Sequence, residues 1–228
     1  MAGSPLPEPD ERETPGEEET PGIEALVALA QSYSLPFYRE PHRAYHTLTH
    51  VQAMLDALET RNVRTPALAL TVWGHDLVYD PRRPDNEAQS AQQFGDWLEG
   101  QGAAPELVAE VRRLILETDH RAPPSDRVAA LLVDADLSVF GADDTAFWEY
   151  ERAIRREYGW VDWPAYRTGR LGVLEQFLGR GSVFGTPEFS GLEQEARKHL
   201  EAARVTLTGA TTENAAQQMW AAQAQQFE

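Results

Sequence analysis

The chain has 228 residues, enough for one sizeable domain, with 42% hydrophobic and 25% charged side chains, as in ordinary globular proteins. Its 37 acidic and 20 basic side chains give a formal net charge of -17 at pH 7, a field that repels nucleic-acid backbones and anionic membranes. The sequence contains no cysteine, which excludes disulfides, thiolate metal ligands and cysteine nucleophiles. It shows no secretory signal at its start and no apolar run long enough to span a bilayer. We therefore expect a cytoplasmic protein that binds neither membranes nor nucleic acids in general.

The two ends of the chain differ in composition from its middle. Residues 1–21 are rich in Pro, Gly, Glu and Thr and almost free of large apolar groups, so they cannot bury enough surface to offset the entropy of ordering. This composition predicts a disordered acidic tail. Residues 207–228 are dominated by Ala, Gln and Thr, which predicts a second loose tail that is at most a frayed helix. One domain is then expected over residues 22–206.

Apolar residues recur at helical spacing through almost all of this middle segment, and no alternating pattern indicates strands. The run ALALTVWGHDLVY, which follows Pro66, is apolar almost all round and predicts a helix buried in the core. Asp143 is placed to cap a helix that Gly159 ends. In chain order, helices are predicted around residues 26–33, 46–50, 66–79, 86–98, 108–118, 127–140, 144–158, 163–179 and 188–206. The expected fold class is all-α, a single helical bundle with two disordered tails.

Two of the apolar helices carry ionisable groups in their interior. His75 and Asp76 stand side by side in the first, and Asp134 and Asp136 interrupt the later run RVAALLVDADLSVF. A buried carboxylate needs a partner, because desolvation of an isolated charge is very costly. A shared divalent cation is the simplest partner for both helices, and imidazole and carboxylate ligands suit Mn, Fe, Co, Ni or Zn.

A pair of histidines precedes these groups. In RAYHTLTHVQAML, His46 and His50 are four residues apart and would face the same side of a helix. Taken alone, such a pair is typical of a helix surface or of a helix start, and a lone His-Asp dipeptide carries little information. The combination of a helical histidine, a His-Asp doublet and a distant aspartate favours a metal site.

The order of His50, His75, Asp76 and Asp136 resembles the metal-binding pattern of the HD superfamily of phosphohydrolases. The segments RAYHTLTHVQAML, WGHDLVYDPRRPDNEAQSA, LLVDADLSVFG, IRREYGWV and YRTGRLGVLEQFL, in order, are similar to a bacterial family of predicted metal-dependent HD phosphohydrolases. The resemblance covers residues 24–205 approximately and implies an HD-domain helical bundle whose metal is held by those four residues. It favours Asp136 over Asp134, because the closing acid of the pattern follows Ala and precedes a hydrophobic residue. Asp134 is expected to be the substitute ligand or to orient a histidine ligand.

A metal in this site implies hydrolysis of a phosphoester or phosphoanhydride by an activated water molecule. We expect Asp76 to hold that water and Glu87 to be the separate base, although a glutamate in a first helical turn also stabilises the helix. His46 and His120 are candidate donors to the leaving oxygen or to a phosphate oxygen. Packing beneath the metal ligands is the competing interpretation for His46. His120 is also the one additional candidate ligand, so a complete second metal site is not expected.

Arginines would supply the positive charge that a phosphate group needs in an acidic protein. We predict phosphate contacts from Arg82, which follows the doublet, and from Arg155 and Arg170, whose neighbours in IRREY and YRTGR are apolar. Salt bridges between helices, with Glu157 or Glu175 as the acid, are the alternative for each of them.

The expected activity is therefore hydrolysis of a small phosphorylated substrate, with a nucleotide favoured, in the presence of a divalent ion. Manganese is the favoured ion, and Fe, Co, Ni, Zn and Mg are alternatives. Two other interpretations stay open: a non-catalytic sensor of metal and nucleotide, and a di-iron oxygenase of HD type. The oxygenase would need extra histidines, for which the sequence offers only His46 and His120. The oligomeric state is left open, a homodimer included.

Overall fold

The computed structural model of the protein describes residues 21–225, and each regular element among them is a helix. Short 3-10 turns aside, the helices of this part of the chain are α1 (Ile23–Ser34), α2 (Leu48–Thr60), α3 (Pro66–Gly74), α4 (Asn86–Gly100), α5 (Pro105–Leu116), α6 (Arg127–Asp136), α7 (Asp144–Glu157), α8 (Trp163–Leu178), α9 (Glu193–Gly209) and α10 (Glu213–Gln225). The predicted all-α fold class is confirmed. No helix within residues 21–225 is both long and apolar enough to cross a membrane. The acidic tail predicted for residues 1–21 lies outside the described residues, apart from Pro21.

Side-chain caps fix where several helices begin. Asp126, Asp143 and Asp162 each accept a hydrogen bond from the backbone N–H three residues later, at 2.8, 2.8 and 2.9 Å. Thr65 does the same at 3.2 Å. Such a cap satisfies one of the backbone donors that a helix start leaves unpaired, which is worth about 1 kcal/mol. The predicted cap at Asp143 is confirmed, whereas Asp85 precedes α4 without a side-chain cap bond.

Helix α3 lies in the core, as its apolar sequence predicts. All of residues 68–74 are buried, and the helix contacts α1, α2, α4, α5 and α6. Its last residue, Gly74, packs directly against Phe94 of α4, because a Cβ at that position would lie 2.3 Å from the aromatic ring. Glycine therefore permits the close approach of α3 and α4 at the point where the chain reaches His75.

Helix α3 is shorter than predicted, because it ends at Gly74 instead of continuing through the His-Asp doublet. The carbonyl groups beyond that point are taken by a side chain: the guanidinium of Arg43 donates to the carbonyl oxygen of Asp76 at 2.7 Å and to that of Leu77 at 2.9 Å. His75 and Asp76 consequently occupy the turn after the helix, where their side chains are not confined to one helical face.

The C-terminal helices pack together around α7. Helix α9 contacts α8 and the 3-10 turn Leu137–Gly141, and α10 contacts α7. Trp220 of α10 is fully buried, 6.4 Å from the ring of Trp163, and Arg155 of α7 donates to Glu213 at 2.8 and 3.0 Å. Within the segment predicted to be at most a frayed helix, residues 213–225 form α10, and its Trp220 is buried against the rest of the fold. Residues 226–228 lie outside the described residues.

Candidate metal centre

Three separated parts of the chain meet at one buried point. His50 lies in the first turn of α2, His75 and Asp76 form the turn after α3, and Asp136 is the last residue of α6. Contacts of α2 with both α3 and α6 bring these positions together in the core. The four side chains of the metal-binding pattern are therefore neighbours in space.

Each of the four side chains has a polar atom within hydrogen-bonding distance of a polar atom of another. Nε2 of His50 is 3.2 Å from Nε2 of His75 and 3.1 Å from Oδ1 of Asp136, and Nε2 of His75 is 3.0 Å from Oδ2 of Asp76. One ligand atom each from His50, His75 and Asp76 falls within a mutual distance of 4.8 Å. Asp136 joins this group through His50. Imidazole nitrogens and carboxylate oxygens at this spacing form a donor set for one divalent cation.

The imidazole of His75 is oriented by its other nitrogen. Nδ1 donates to the carbonyl oxygen of Val72 at 2.8 Å, so that in the neutral ring Nε2 carries the lone pair and points to the centre. The side chains of His75 and His50 are only 1% and 2% exposed, whereas those of Asp76 and Asp136 are 15% and 14% exposed. The imidazoles thus form the buried floor of the centre, and the carboxylates face outward.

The charges inside the centre depend on one another. Burial opposes ionisation of Asp76, but the imidazoles of His75 and His46 outweigh it and hold the pKa of Asp76 well below its usual range. Burial also acts to lower the pKa of His75, and the Asp76 carboxylate overcomes this effect and raises that pKa to about 9. For His50 burial dominates, and its pKa is lowered. Buried ionised carboxylates require nearby positive charge, which a bound cation supplies in place of protons.

His46 lies beside the centre but precedes α2, so the prediction that it shares a helix face with His50 is wrong. Its Nδ1 is 2.7 Å from Oε2 of Glu157, and its ring stacks on that of Tyr79 with 4.1 Å between centroids. Burial acts to lower the pKa of His46, but the Asp76 and Glu157 carboxylates outweigh it and raise that pKa. Glu157 therefore holds the His46 ring beside the metal-ligand candidates.

Glu157, which the sequence pattern indicates only as a salt-bridge partner, fixes the loop before α2. Its Oε1 accepts from the backbone N–H groups of Ala44, Tyr45 and His46 at 2.7, 2.8 and 3.0 Å, and its Oε2 accepts from the Tyr79 hydroxyl at 2.8 Å. Burial opposes its ionisation, but the bond to His46 and the backbone donors outweigh it and lower the pKa of Glu157 to about 2. No short motif could have revealed this role, because 111 positions separate Glu157 from His46.

Arg43 is a second residue that the sequence pattern does not single out. Its buried guanidinium donates to the carbonyl oxygens of His46, Asp76 and Leu77 at 3.1, 2.7 and 2.9 Å and to the carboxylate of Glu40 at 3.0 Å. It therefore ties the loop that carries His46 to the His-Asp doublet. Its position three residues before His46, in the first of the quoted segments, is the one signal that could have marked it.

The two aspartates of α6 have different partners. Oδ2 of Asp136 is 2.9 Å from Nε2 of His120, which adopts a left-handed backbone with φ of 56°. Asp134 accepts from the backbone N–H groups of Gly185 and Thr186, both at 2.8 Å, and from the Thr186 hydroxyl at 2.5 Å. The expectation that Asp134 is a substitute ligand or orients a histidine is corrected, because its oxygens hold the loop before α9 instead.

An open cleft of about 410 Å³ leads to the centre, and its wall includes His46, Asp76, Glu87, His120 and Asp136. We call it the polar cleft. Glu87 lies in the first turn of α4, and its side chain forms no hydrogen bond or ion pair with another residue of the described chain. The predicted base and both predicted histidine donors thus share one space with two of the metal-ligand candidates.

Arg170 also reaches the polar cleft, but other groups hold it. It donates to Glu151 at 2.5 and 3.3 Å and to the hydroxyl of Tyr150 at 2.7 Å. Burial raises the pKa of Tyr150 to about 12, so its hydroxyl stays protonated. Because that hydroxyl accepts from Arg170, its own proton remains for a ligand in the cleft. Tyr150 and its neighbour Tyr45, whose rings are 4.6 Å apart, were not among the residues that the sequence marks.

The other two predicted phosphate-binding arginines point elsewhere. The guanidinium of Arg82 lies 5.4 Å from the centre of the Trp160 ring. The guanidinium of Arg155 is taken up by Glu213 and by two backbone carbonyl groups. Neither arginine lines the polar cleft, whereas Arg83 does. Arg155 therefore forms a salt bridge between helices, which was the alternative interpretation, but its partner is Glu213 and not Glu157 or Glu175.

Comparison with known proteins returns no relative: no protein-family model, no curated protein and no solved structure matches the chain. The likeness to HD phosphohydrolases accordingly rests on the sequence motifs. What the geometry adds is a cluster of His50, His75 and Asp76 that could hold a metal ion.

Proposed function

We propose that the protein is a metal-dependent phosphohydrolase that acts on a phosphoester or phosphoanhydride of a small molecule, with nucleotides as the favoured class. The observation that carries the proposal is the convergence of His50, His75 and Asp76, with Asp136 beside them, at the base of an open cleft. Structural metal sites are closed, whereas catalytic ones keep positions open to water and substrate. The motif resemblance supports the same class of reaction.

The donor set fits a divalent metal ion. Nε2 of His75 is directed at the centre by the bond of Nδ1 to Val72, and both carboxylates are held ionised. Two imidazoles and two carboxylates suit manganese, iron, cobalt, nickel or zinc, and manganese is favoured, with magnesium as a further candidate. When bound, such an ion would neutralise charge on a phosphoryl group and lower the pKa of a water molecule.

Hydrolysis forms a bond from a water oxygen to phosphorus, breaks the bond from phosphorus to the leaving oxygen, and moves one proton from the water to that oxygen. In the polar cleft, Glu87 is the candidate base for the water proton, and Asp76 holds the water. His46, whose pKa Asp76 and Glu157 raise despite its burial, donates a hydrogen bond to the phosphoryl group. His120, bonded to Asp136, supplies a second donor.

A phosphate-release screen tests this proposal. Nucleotides and other phosphate esters are offered with added manganese to the wild type, to Asp76→Ala, and to Asp56→Ala, an aspartate on the exposed side of α2. We expect release that requires the metal, falls to background in Asp76→Ala and is unchanged in Asp56→Ala, since only the first carboxylate reaches the centre.

Each other result favours a different function. Metal binding without release across the panel would contradict hydrolysis and favour the sensor. Oxygen uptake by the iron-loaded protein would favour the oxygenase. Release that Asp76→Ala retains would place the reaction at another site.

A further inference from the structure

A second cavity borders the same centre. It has a volume of about 480 Å³, and we call it the α7 cavity because that helix forms much of its wall. His50 and Asp136 both contribute to its lining. Tyr45 and Tyr150 line this cavity as well as the polar cleft, so the two spaces adjoin at the tyrosine pair. A ligand in the α7 cavity would therefore touch residues that hold the metal.

Small side chains create this space. Six alanines from three parts of the chain line it, namely Ala44, Ala53, Ala135, Ala142, Ala146 and Ala153. On α7 the lining positions recur every three or four residues from Ala146 to Arg156, which turns one helix face towards the cavity. Sites for small molecules are mostly apolar and typically occupy about 300–1,000 Å³. The α7 cavity therefore suits the organic part of a small substrate.

Two arginines add positive charge to this wall. Arg152 forms one loose ion pair, 3.9 Å long and without a hydrogen bond, with Glu149, which also lines the cavity. Arg156 is exposed, and its side chain forms no hydrogen bond or ion pair with another residue of the described chain. Guanidinium groups bind phosphate through paired hydrogen bonds. In a protein with a net charge of -17, an unpaired Arg156 beside a loosely paired Arg152 gives this wall positive charge that could attract an anion.

Helix α7 connects the candidate metal centre to the two arginines. Tyr150, beside the metal ligands, and Arg156 are six positions apart, which corresponds to about 9 Å along the helix axis. We propose that the α7 cavity binds the organic part of the substrate and that Arg152 and Arg156 bind a second phosphate group on it. The substrate class is then a small phosphate ester that carries a second phosphate, as in a nucleoside bisphosphate. Hydrolysis of such a substrate rests on the proposed function, whereas its binding in the α7 cavity and at the two arginines, which we call the subsite, does not.

The experiment compares a nucleoside 3′,5′-bisphosphate with the matching 5′-monophosphate, which differ only in the second phosphate. Release of the 5′-phosphate by the manganese-loaded full chain is measured for the wild type, for the double variant Arg152→Gln/Arg156→Gln, and for Arg204→Gln, an arginine on the surface of α9. We expect the wild type to show about tenfold higher kcat/KM for the bisphosphate, mainly through KM. The double variant should lose this preference, and Arg204→Gln should keep it. Thermal unfolding confirms that each variant is folded.

Equal kcat/KM for the two nucleotides in the wild type, or a preference that survives in the double variant, would overturn the subsite. If neither nucleotide is hydrolysed with any metal, the reaction is judged by the wider phosphate-release screen, and calorimetric binding of the same two nucleotides decides the subsite alone. The subsite is upheld if the wild type binds the bisphosphate more tightly than the monophosphate and the double variant does not. Equal binding of both nucleotides overturns it.

Discussion

The buried carboxylate of Glu157 fixes the position of His46 and of the loop that carries it. Its two oxygens accept from three consecutive backbone N–H groups, from the Tyr79 hydroxyl and from Nδ1 of His46. Each of these donors would lose its partner if the carboxylate were removed, and an unpaired buried donor costs about 1–3 kcal/mol. The side chain therefore stabilises the loop before α2 and fixes the ring of His46 at the edge of the polar cleft.

The lowered pKa of Glu157 makes this contribution depend on pH. Because its pKa falls from 4.5 to about 2 on folding, ionised Glu157 stabilises the fold fully above pH 4.5, and the contribution is lost as the pH falls towards 2. The shift corresponds to about 3 kcal/mol. We expect Glu157→Gln to lower the free energy of unfolding by about this amount at pH 7, and the difference from wild type to shrink between pH 5 and pH 3. Urea unfolding at several pH values measures it.

The control is Glu149→Gln on the same helix, whose side chain is 66% exposed and should show no such dependence. In the wild type His46 is protonated between pH 5 and pH 3, since its pKa is raised from 6.5 by the Asp76 and Glu157 carboxylates despite its burial. A difference that stays constant down to pH 3 would show that Glu157 acts by its shape and not by its charge.

Helix α10 contributes to the site through α7. Its residue Trp220 is fully buried, and Glu213 at its start holds Arg155 of α7 through two hydrogen bonds. Helix α7 in turn carries Glu157 at its end and one wall of the α7 cavity. Helix α10 thus supports the candidate site through its packing on α7.

Trp220→Ala should therefore destabilise the protein strongly. Truncating a buried tryptophan removes its apolar contacts and leaves a cavity, which costs about 3–5 kcal/mol. The neighbouring Met219 is 37% exposed, so Met219→Ala should change the free energy of unfolding by only about 0.5 kcal/mol. Urea unfolding of both variants makes the comparison. Equal small effects would mean that α10 does not pack on α7 in solution.

The sequence predictions are accurate where they depend on residues close together in the chain, and they fail where distant residues interact. Helix positions and the cap at Asp143 depend on residues a few positions apart, and most of them could be predicted. The doublet of His75 and Asp76 could be found because charge within an apolar run is a local signal. The end of α3 at Gly74 could not be predicted, because the carbonyl oxygens of Asp76 and Leu77 accept hydrogen bonds from Arg43, which lies more than thirty positions earlier in the chain.

The candidate site shows the same limit. The pattern grouped His50 with the doublet and Asp136, and the structure brings these four together. Arg155 was expected at the substrate because its sequence neighbours are apolar, yet its acid, Glu213, lies 58 positions further along the chain. Contacts of this kind are determined by how the helices pack, which neither composition nor spacing reports.

The candidate ligands link distant parts of the molecule. They come from α2, from the turn after α3 and from the end of α6. A cation bound by all of them would bind the folded chain but not the unfolded one, in which those segments are apart. Its binding free energy is then added to the stability of the whole fold. Metal binding can therefore be measured without any knowledge of the substrate.

At a manganese concentration one hundred times the dissociation constant, we expect the free energy of unfolding to rise by about 2.7 kcal/mol. For a chain of this size that corresponds to an increase of about 5–10 °C in Tm, which a chelator should reverse. Asp136→Asn should lose most of this increase, because the carboxylate is next to His50. Asp134→Asn should lower Tm with and without metal, because its amide cannot accept from both N–H donors of the 185–186 loop, but should retain the increase. The reverse pattern, measured by thermal unfolding, would make Asp134 the ligand and contradict the assignment of the centre.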